Sequence, residues 1–508
     1  MAGDYVIGVD GGTEGLRAGV FNRSGSPLAF ASTAYKTHFP NPGWAEQNPA
    51  DWWAALGESV RKAVSEAGVA PDAIAAISVD TTCCSVLALD ENGEPLRPCM
   101  IWMDLRSAAQ TEKVVATGDP ALRVNSNGAG PVSAEWMVPK ALWIKENEPD
   151  LFDRAATICE YQDYINYHLT GRMVASVNNV SVRWHYRSRE GGYAADMARA
   201  LGMEAILEKW PKDVLSLGEV IGGLTARAAA HLGLPEGLPV AQGGADAFIG
   251  VIGLGVVRPG RLAFITGSSH LQIGLSDAPF HGTGIWGTYS DAVLPGLHVI
   301  EGGQTSTGSV VNWFKSMLGP DVSYDALNAE ARTLPPGSEG LVALDHFQGN
   351  RTPHTDPLSR GVLAGLSLKH GRGHIFRALI EGISFGSELI LETMRSNGFK
   401  PTDIVIAGGA TRSDLWLQIH ADVSGLPLSL TKVADAPSLG CAVLAAVAAG
   451  FYEDIPAAAD AMVQVDRRVE PDMTSYEAYR PFYEAYKATY PALKDVVHAQ
   501  VDAAAGSG

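Results

Sequence analysis

Tyr5-Val-Ile-Gly-Val-Asp10-Gly-Gly-Thr13-Glu-Gly-Leu16-Arg-Ala-Gly-Val-Phe21 is the stretch that decides the fold. The apolar run Tyr5–Asp10 reads as a strand ending in an acid, Gly11-Gly12-Thr13 turns the chain, and Leu16–Phe21 returns it with alternating faces. Asn22-Arg23-Ser24-Gly25 is a polar turn before a third strand, Leu28–Tyr35. A helix follows, with Asn48 as N-cap, Pro49 at its first position, and Trp52, Leu56, Val60 and Val64 on one face. The next strand, Ile74–Val79, runs into a second acid, Asp80. The order is β-β-β-α-β.

Half a chain length further on, the pattern begins again. Arg261–Thr266 is a strand, Gly267-Ser268-Ser269 a turn of small residues, and Leu271–Leu275 a returning strand. Ahead of it lie a short strand, Leu238–Gln242, the tight turn Gly243-Gly244-Ala245-Asp246, and an apolar stretch, Ala247–Val257, ending at Arg258-Pro259-Gly260. Two halves that each open on a hairpin imply a duplicated fold with a cleft between them. The expected domains are residues 1–257 and 258–498, with 499–508, small and polar, as a flexible tail. The second half continues with a helix from Ser306 to Leu318, a strand at Leu341–Leu344 and a long helix at His374–Ser396. A strand, Ile404–Ala407, then runs into Gly408-Gly409-Ala410, ahead of a helix at Ser413–Val423, a strand at Pro427–Leu430 and a helix at Leu439–Ala449.

Composition narrows the class. The chain has 508 residues, 46% hydrophobic, enough for two or three domains at roughly 100–200 residues each. Its 56 glycines exceed the usual share of about 7% without a Gly-X-Y period, so they belong to particular turns. A formal charge of −18 disfavours nucleic acid and anionic membrane surfaces as partners, while backbone N–H groups can still hold a small anion. No run of 18 apolar residues, the length a membrane span needs, occurs, and the start carries no signal-peptide pattern. Five cysteines without a C-x-x-C pair encode neither a disulfide framework nor a zinc knuckle, and a reducing cytoplasm is the expected compartment. His370 and His374, separated by glycines, suit a cap better than a metal.

The chemistry gathers at strand ends. Asp10-Gly-Gly-Thr13, Gly243-Gly244, Gly267-Ser268 and Gly408-Gly409 all follow short apolar strands, where backbone N–H groups can converge on phosphate oxygens. Asp10 and Asp246 are the two carboxylates beside such turns, and phosphoryl transfer needs one group for Mg²⁺ and one to accept a hydroxyl proton. Other readings fail: Gly282-Thr-Gly-Ile-Trp-Gly287 has the G-x-G-x-x-G spacing but no helix after it, and neither a P-loop nor a G-x-S-x-G elbow occurs.

The chain resembles the FGGY carbohydrate kinases of the actin-like ATPase superfamily over nearly its whole length. The resemblance rests on Gly361-Val-Leu-Ala-Gly365-Leu366 followed by His374-Ile-Phe-Arg-Ala-Leu-Ile-Glu381. Asp10-Gly-Gly-Thr13 with Arg17, Trp102-Met-Asp104-Leu-Arg106, Gly244-Ala-Asp246, Gly267-Ser-Ser269, Gly302-Gly-Gln304 and Ala407-Gly-Gly-Ala-Thr-Arg-Ser413 come in the same order. It implies two α/β domains of actin-like (ribonuclease H-like) fold, each a mixed sheet flanked by helices, closing over ATP·Mg²⁺ and a sugar. Asp246 matches the general base, and Asp10, with Asp246 beside it, the carboxylates near Mg²⁺. Gly12, Thr13 and Arg17 match the first phosphate loop, Thr266, Gly267 and Ser268 the second, and Gly408 and Gly409 the turn beside the α-phosphate. Ser413, Asp414 and Gln418 border the adenine. Ser268 stands where the family commonly has threonine, which keeps the hydroxyl.

The resemblance also places the sugar among Thr82, Cys83, Trp102, Asp104, Gln162, Asp163, Asp246, Glu301 and Gln304. Asp80-Thr-Thr-Cys-Cys84 looks like ribulokinase-type members, so a pentulose such as ribulose is the expected substrate. Xylulose, a pentitol or a four-carbon polyol or ketose is the alternative, and a non-catalytic ATP-binding regulator the alternative from another class. A homodimer is the expected assembly.

Overall fold

The computed structural model describes residues 3–505. Strands of the two main sheets are numbered in chain order. The first holds β1 (Tyr5–Gly11), β2 (Gly15–Asn22), β3 (Pro27–Ala34), β4 (Ile74–Thr81), β5 (Val220–Gly223) and β6 (Pro239–Ala241), in the order β5-β6-β4-β1-β2-β3. The second holds β7 (Arg261–Thr266), β8 (His270–Ser276), β9 (Gly287–Ser290), β10 (His298–Gln304), β11 (Asp403–Gly408), β12 (Leu428–Thr431) and β13 (Val465–Val469), in the order β9-β10-β8-β7-β11-β12-β13.

The duplication read from the hairpins extends through both sheets. β1 pairs antiparallel with β2 and parallel with β4, and β7 pairs antiparallel with β8 and parallel with β11. Next outward, β6 lies parallel to β4 and β12 parallel to β11, each carrying an antiparallel edge strand, β5 or β13. β9 is an addition at the far edge of the second sheet. The turn-like stretch after Gly282 is therefore the approach to a strand, consistent with rejecting a dinucleotide fingerprint there.

The helices that bear on the site are α1 (Pro49–Ala67), α2 (Tyr161–Thr170), α3 (Val177–Arg183), α4 (Asp246–Gly253), α5 (Gly308–Met317), α6 (Arg372–Ser396), α7 (Asp414–Ser424), α8 (Ala436–Ala448) and α9 (Met473–Ala505). α1 starts as read: the Asn48 side chain accepts the Ala50 N–H, Pro49 follows, and Trp52, Leu56, Val60 and Val64 are buried. Residues 499–505 depart from the expected tail. They complete α9, and 506–508 lie outside the described residues. Tyr479, Tyr483 and Tyr486 of α9 are buried against α6, which anchors the helix.

α4 and α8 join the halves. A Cβ at Gly253 would lie 1.9 Å from the Ala436 carbonyl oxygen, and one at Gly440 2.1 Å from that of Ile249, so the helices touch backbone to backbone. Some of the glycine surplus thus serves helix contact rather than turns. Around this crossing, Phe248, Ile249 and Ile252 pack with Leu439, Val443 and Leu444 between Val6 and Phe21 of one sheet and Ala263 and Ile273 of the other. Burial of each such large side chain contributes about 1.5–3 kcal/mol. The first half also carries a four-stranded sheet, with one strand, Glu46–Gln47, between β3 and α1 and three, Val86–Leu89, Cys99–Met100 and Thr157–Glu160, between β4 and β5, and this sheet bears the Trp102 segment.

Candidate active site

Three of the glycine turns read from the sequence lie at the ends of the central strands, one in the first sheet and two in the second. Asp10, near the end of β1, is in register with Asp80 on β4. Thr266, at the end of β7, is in register with Gly408 on β11. The Thr266 hydroxyl donates to Ala407 O (2.7 Å) and accepts the Ala410 N–H (3.1 Å), which ties the second turn to the third. Gly408 has φ +96, and a Cβ there would lie 1.8 Å from Thr266 O, so only glycine fits. Its neighbour Gly409 has nothing within 4 Å of a Cβ position and is exposed, as are Gly267 and Ser268. The carbonyls of Gly267 and Ser268 accept the N–H groups of Gly308 (3.1 Å) and Thr307 (2.9 Å), clamping that turn on the start of α5. Gly243-Gly244 serves packing instead: a Cβ at Gly243 would meet Val79 O at 1.9 Å.

The first turn is held from outside. Tyr35 donates to Gly12 O, Gln47 Nε2 to Thr13 O (2.7 Å), and the Trp102 indole Nε1 to Thr13 Oγ1 (2.8 Å). Arg17, expected on phosphate, pairs with Asp435 across the cleft and donates to Ser32 Oγ (3.2 Å). A cavity of about 680 Å³ opens beside that pair, away from Asp246.

Asp246 is the first residue of α4, and its Oδ1 accepts the Ala247 N–H (2.7 Å). Burial pushes its carboxyl up to about 6, against that hydrogen bond. Asp10 is pushed up to about 7, chiefly by burial, then by the Asp246 and Asp435 carboxylates. Asp80, fully buried, lies well above the usual range for the same first reason, and the Cys441 thiol donates to its Oδ2 (3.2 Å). Sequence reading took Asp80 as a strand end and as the start of the Asp80-Thr-Thr-Cys-Cys84 segment, without giving its carboxyl a role. Its register with Asp10 is the signal that places it here.

The sugar-side candidates divide. Trp102 (38% exposed) and Cys83 retain open surface, whereas Thr82 is buried with its hydroxyl 3.1 Å from that of Ser85. Asp104 is buried, accepting Ala45 N (2.7 Å) and the Arg106 guanidinium (2.6 and 2.8 Å), so it shapes the 102–106 loop. Gln162 donates to Val79 O (2.9 Å), and Asp163 accepts Glu160 N (2.9 Å) as part of the α2 capping box. Gln304 donates to Asp345 and Ile383 O and accepts from Ser387, inside the second half. Glu301 takes a forked contact from Arg183 and the Tyr289 hydroxyl (2.8 Å). The atoms named here serve main chain and partners rather than open space, while Gln162 Oε1 and Asp163 Oδ1 are buried with no hydrogen-bond partner among the described residues.

The adenine-side candidates also have partners. Ser413 caps α7 and donates to Asn328 (2.9 Å), Asp414 pairs with Arg467 (2.7 Å), and Gln418 bonds Asp422 and Glu470 O. His374 acts as a cap, its Nδ1 accepting the Gly371 N–H (3.2 Å). Lys140, which the sequence did not single out, is wholly buried and donates to Cys84 O (2.7 Å), Met100 O (3.3 Å) and Ile101 O (2.6 Å), pinning both sugar-side segments.

Paired sheets of one topology, with carboxylates and open glycine turns facing a shared cleft, define a two-domain sugar kinase of the actin-like fold. The models for the N-terminal and C-terminal domains of the FGGY family of carbohydrate kinases match residues 5–253 and 262–449. The chain belongs to the FGGY family of carbohydrate kinases. It is 30% identical to an FGGY carbohydrate kinase domain-containing protein of Xenopus laevis, over 92% of this chain and 93% of that protein. A ribulokinase of Mycolicibacterium smegmatis is 32% identical over 90% and 88%. The crystal structure of xylulose kinase from Rhodospirillum rubrum superposes with a TM-score of 0.88 at 30% identity, covering 97% of this chain and all of that one. Among the described residues, no helix is long and apolar enough to cross a membrane.

Proposed function

We propose that this kinase phosphorylates a terminal hydroxyl of a pentulose, ribulose first among them, with Asp246 as general base. The observation that carries the reading is Asp246 itself: a carboxylate at the head of α4, deprotonated above about pH 6, and close enough to Asp10 for its charge to raise that group. The carboxylate takes the proton of the sugar hydroxyl as that oxygen bonds to the terminal phosphorus of ATP and the bond from this phosphorus to the β-phosphate oxygen breaks, releasing ADP. Exposed backbone at Gly267, Ser268 and Gly409 leaves room for a phosphate chain, and Asp10 offers the hard oxygen ligand that Mg²⁺ prefers. Those features fit ATP·Mg²⁺, with Asp10 and Asp246 as the nearest carboxylates to the metal. Bound there, Mg²⁺ neutralises charge on the transferring phosphoryl group. Closure of the halves about the α4–α8 crossing excludes water, which otherwise competes as nucleophile.

Ribulose is supported by the Asp80-Thr-Thr-Cys-Cys84 segment and by the similarity to ribulokinases. Xylulose is the second reading, favoured by the match to a xylulose kinase structure at the same level of identity. Coupled ADP release over a panel of ketoses, pentitols and four-carbon polyols decides between them. ADP release that no sugar stimulates would instead favour a nucleotide-binding regulator. Five free cysteines support a reducing cytoplasmic setting, and the exposed Trp313, Met317, Leu366 and Leu368 offer apolar surface for a homodimer, which light scattering tests.

A further inference from the structure

A second polar cavity lies at the seam of the halves, outside the cleft residues. It has a volume of about 70 Å³ and is walled by residues 120–124 and 181–190 of the first half and 281–290 of the second. Three arginines line it, Arg123, Arg187 and Arg189, in a protein whose net charge is −18.

Their pairing is uneven. Arg189 is satisfied by Asp291 through two bonds of 2.7 and 2.9 Å, and Asp291 is held down to about 2, burial notwithstanding, by Arg189, Ser188 and the Gly296 N–H. Among the described residues Arg187 pairs only with Glu190, at 3.5 Å, and Glu190 is 71% exposed, so that pair is worth little. Arg123 has no carboxylate partner among the described residues, and its Nε lies 3.4 Å from Asn127 Oδ1. Two guanidinium groups are therefore left with spare donors.

Buried atoms repeat the message. Ser181, 2% exposed, lines the cavity with a hydroxyl that has no protein partner, and Arg187 Nε is likewise buried and unpartnered. A buried donor without an acceptor costs about 1–3 kcal/mol. Buried groups left unsatisfied by the protein mark places that accept an ion from outside.

We propose that this seam binds a tetrahedral oxyanion, a phosphate or the phosphoryl group of a phosphate ester, through Arg123, Arg187 and Ser181. Guanidinium matches the geometry of phosphoryl oxygens by paired donors, and a hydroxyl adds a third. The site spans both halves, and its wall residue Tyr289 is bonded to Arg183 and Glu301, so occupancy holds the halves in one relation.

Calorimetric titration of the full chain with inorganic phosphate, with a ketopentose 5-phosphate and with chloride at matched ionic strength tests this, the cleft being saturated with ADP, Mg²⁺ and the best unphosphorylated sugar so that the ester cannot take the product's place there. The expected result is one further site for phosphate or the ester, weakened at least tenfold in Arg123→Gln/Arg187→Gln and in Ser181→Ala, with the KM for ATP unchanged. Tighter binding of the ester makes a phosphosugar the natural ligand, and equal binding makes it free phosphate. No uptake beyond chloride, or equal uptake by variants whose circular dichroism and melting match the parent, overturns the proposal. Neither result depends on which sugar the kinase phosphorylates.

Discussion

Arg183 at the end of α3 and Glu301 on β10 form a buried ion pair between the two halves, with Arg183 Nη2 and Glu301 Oε1 3.1 Å apart. Both side chains are nearly inaccessible, and Tyr289 adds a hydrogen bond to the carboxylate. Removing one partner strands the other charge. Glu301→Ala is expected to cost about 3–5 kcal/mol in chemical denaturation, whereas the apolar double replacement Arg183→Met/Glu301→Leu recovers much of that loss. Equal losses in the single and double variants would show that the pair carries no special weight.

Asp246→Asn keeps the shape of the helix start and removes the carboxylate proposed as the proton acceptor. Turnover with the best sugar should fall about 10²–10⁴-fold while the melting curve stays in place. A variant with near-parental kcat sinks the base assignment.

The same carboxylate sets a pH profile. Burial raises Asp246 to about 6, and only its ionised form accepts a proton. Hence kcat/KM should climb about tenfold per unit up to pH 6 and level off above it. Stopped kinase assays between pH 4.5 and 8 check this, and a profile flat down to pH 4.5 contradicts it.

Lys140→Met leaves the Cys84 and Ile101 carbonyls without their shared donor. The replacement should cost about 1–3 kcal/mol and raise the KM for sugar more than that for ATP, because both carbonyls belong to sugar-side segments. A rise in the ATP constant alone would place the effect elsewhere.

His420 is fully buried, accepts the Trp416 indole N–H (2.8 Å), and is pushed down to about 3 by burial. Its folded value lies below the unfolded one, so the unfolded chain binds the extra proton as pH falls through about 6.5. Stability from this group is present above that pH and drops by about 1.4 kcal/mol by pH 5.5. The slope of melting temperature against pH between 7 and 5 should be shallower in His420→Gln. An unchanged slope means the imidazole titrates alike in both states.

The hairpins and the strand-end turns were legible because they depend on neighbours in sequence: apolar alternation, then Gly-Gly or Gly-Ser. Asp10 and Asp246 were legible for the same reason. The sugar-side set was less so. Asp104, Gln162, Asp163 and Gln304 have the chemistry of polyol ligands, but their atoms are used by Ala45 N, Val79 O, Glu160 N and Asp345, partners that only folding brings near. Whether a polar side chain is free is a tertiary property. Arg17 illustrates it too, since Asp435, its partner, stands at the far end of the chain.

The two halves share one strand topology yet differ at the equivalent register position. In the first, Asp10 faces Asp80, and in the second, Thr266 faces Gly408. A fully symmetric cleft would give a polyanion no reason to lie one way rather than the other. Carboxyls at one pair of strand ends and a hydroxyl beside an exposed glycine turn at the other make the two halves chemically unlike where they are topologically alike, so each is suited to a different part of whatever lies between them.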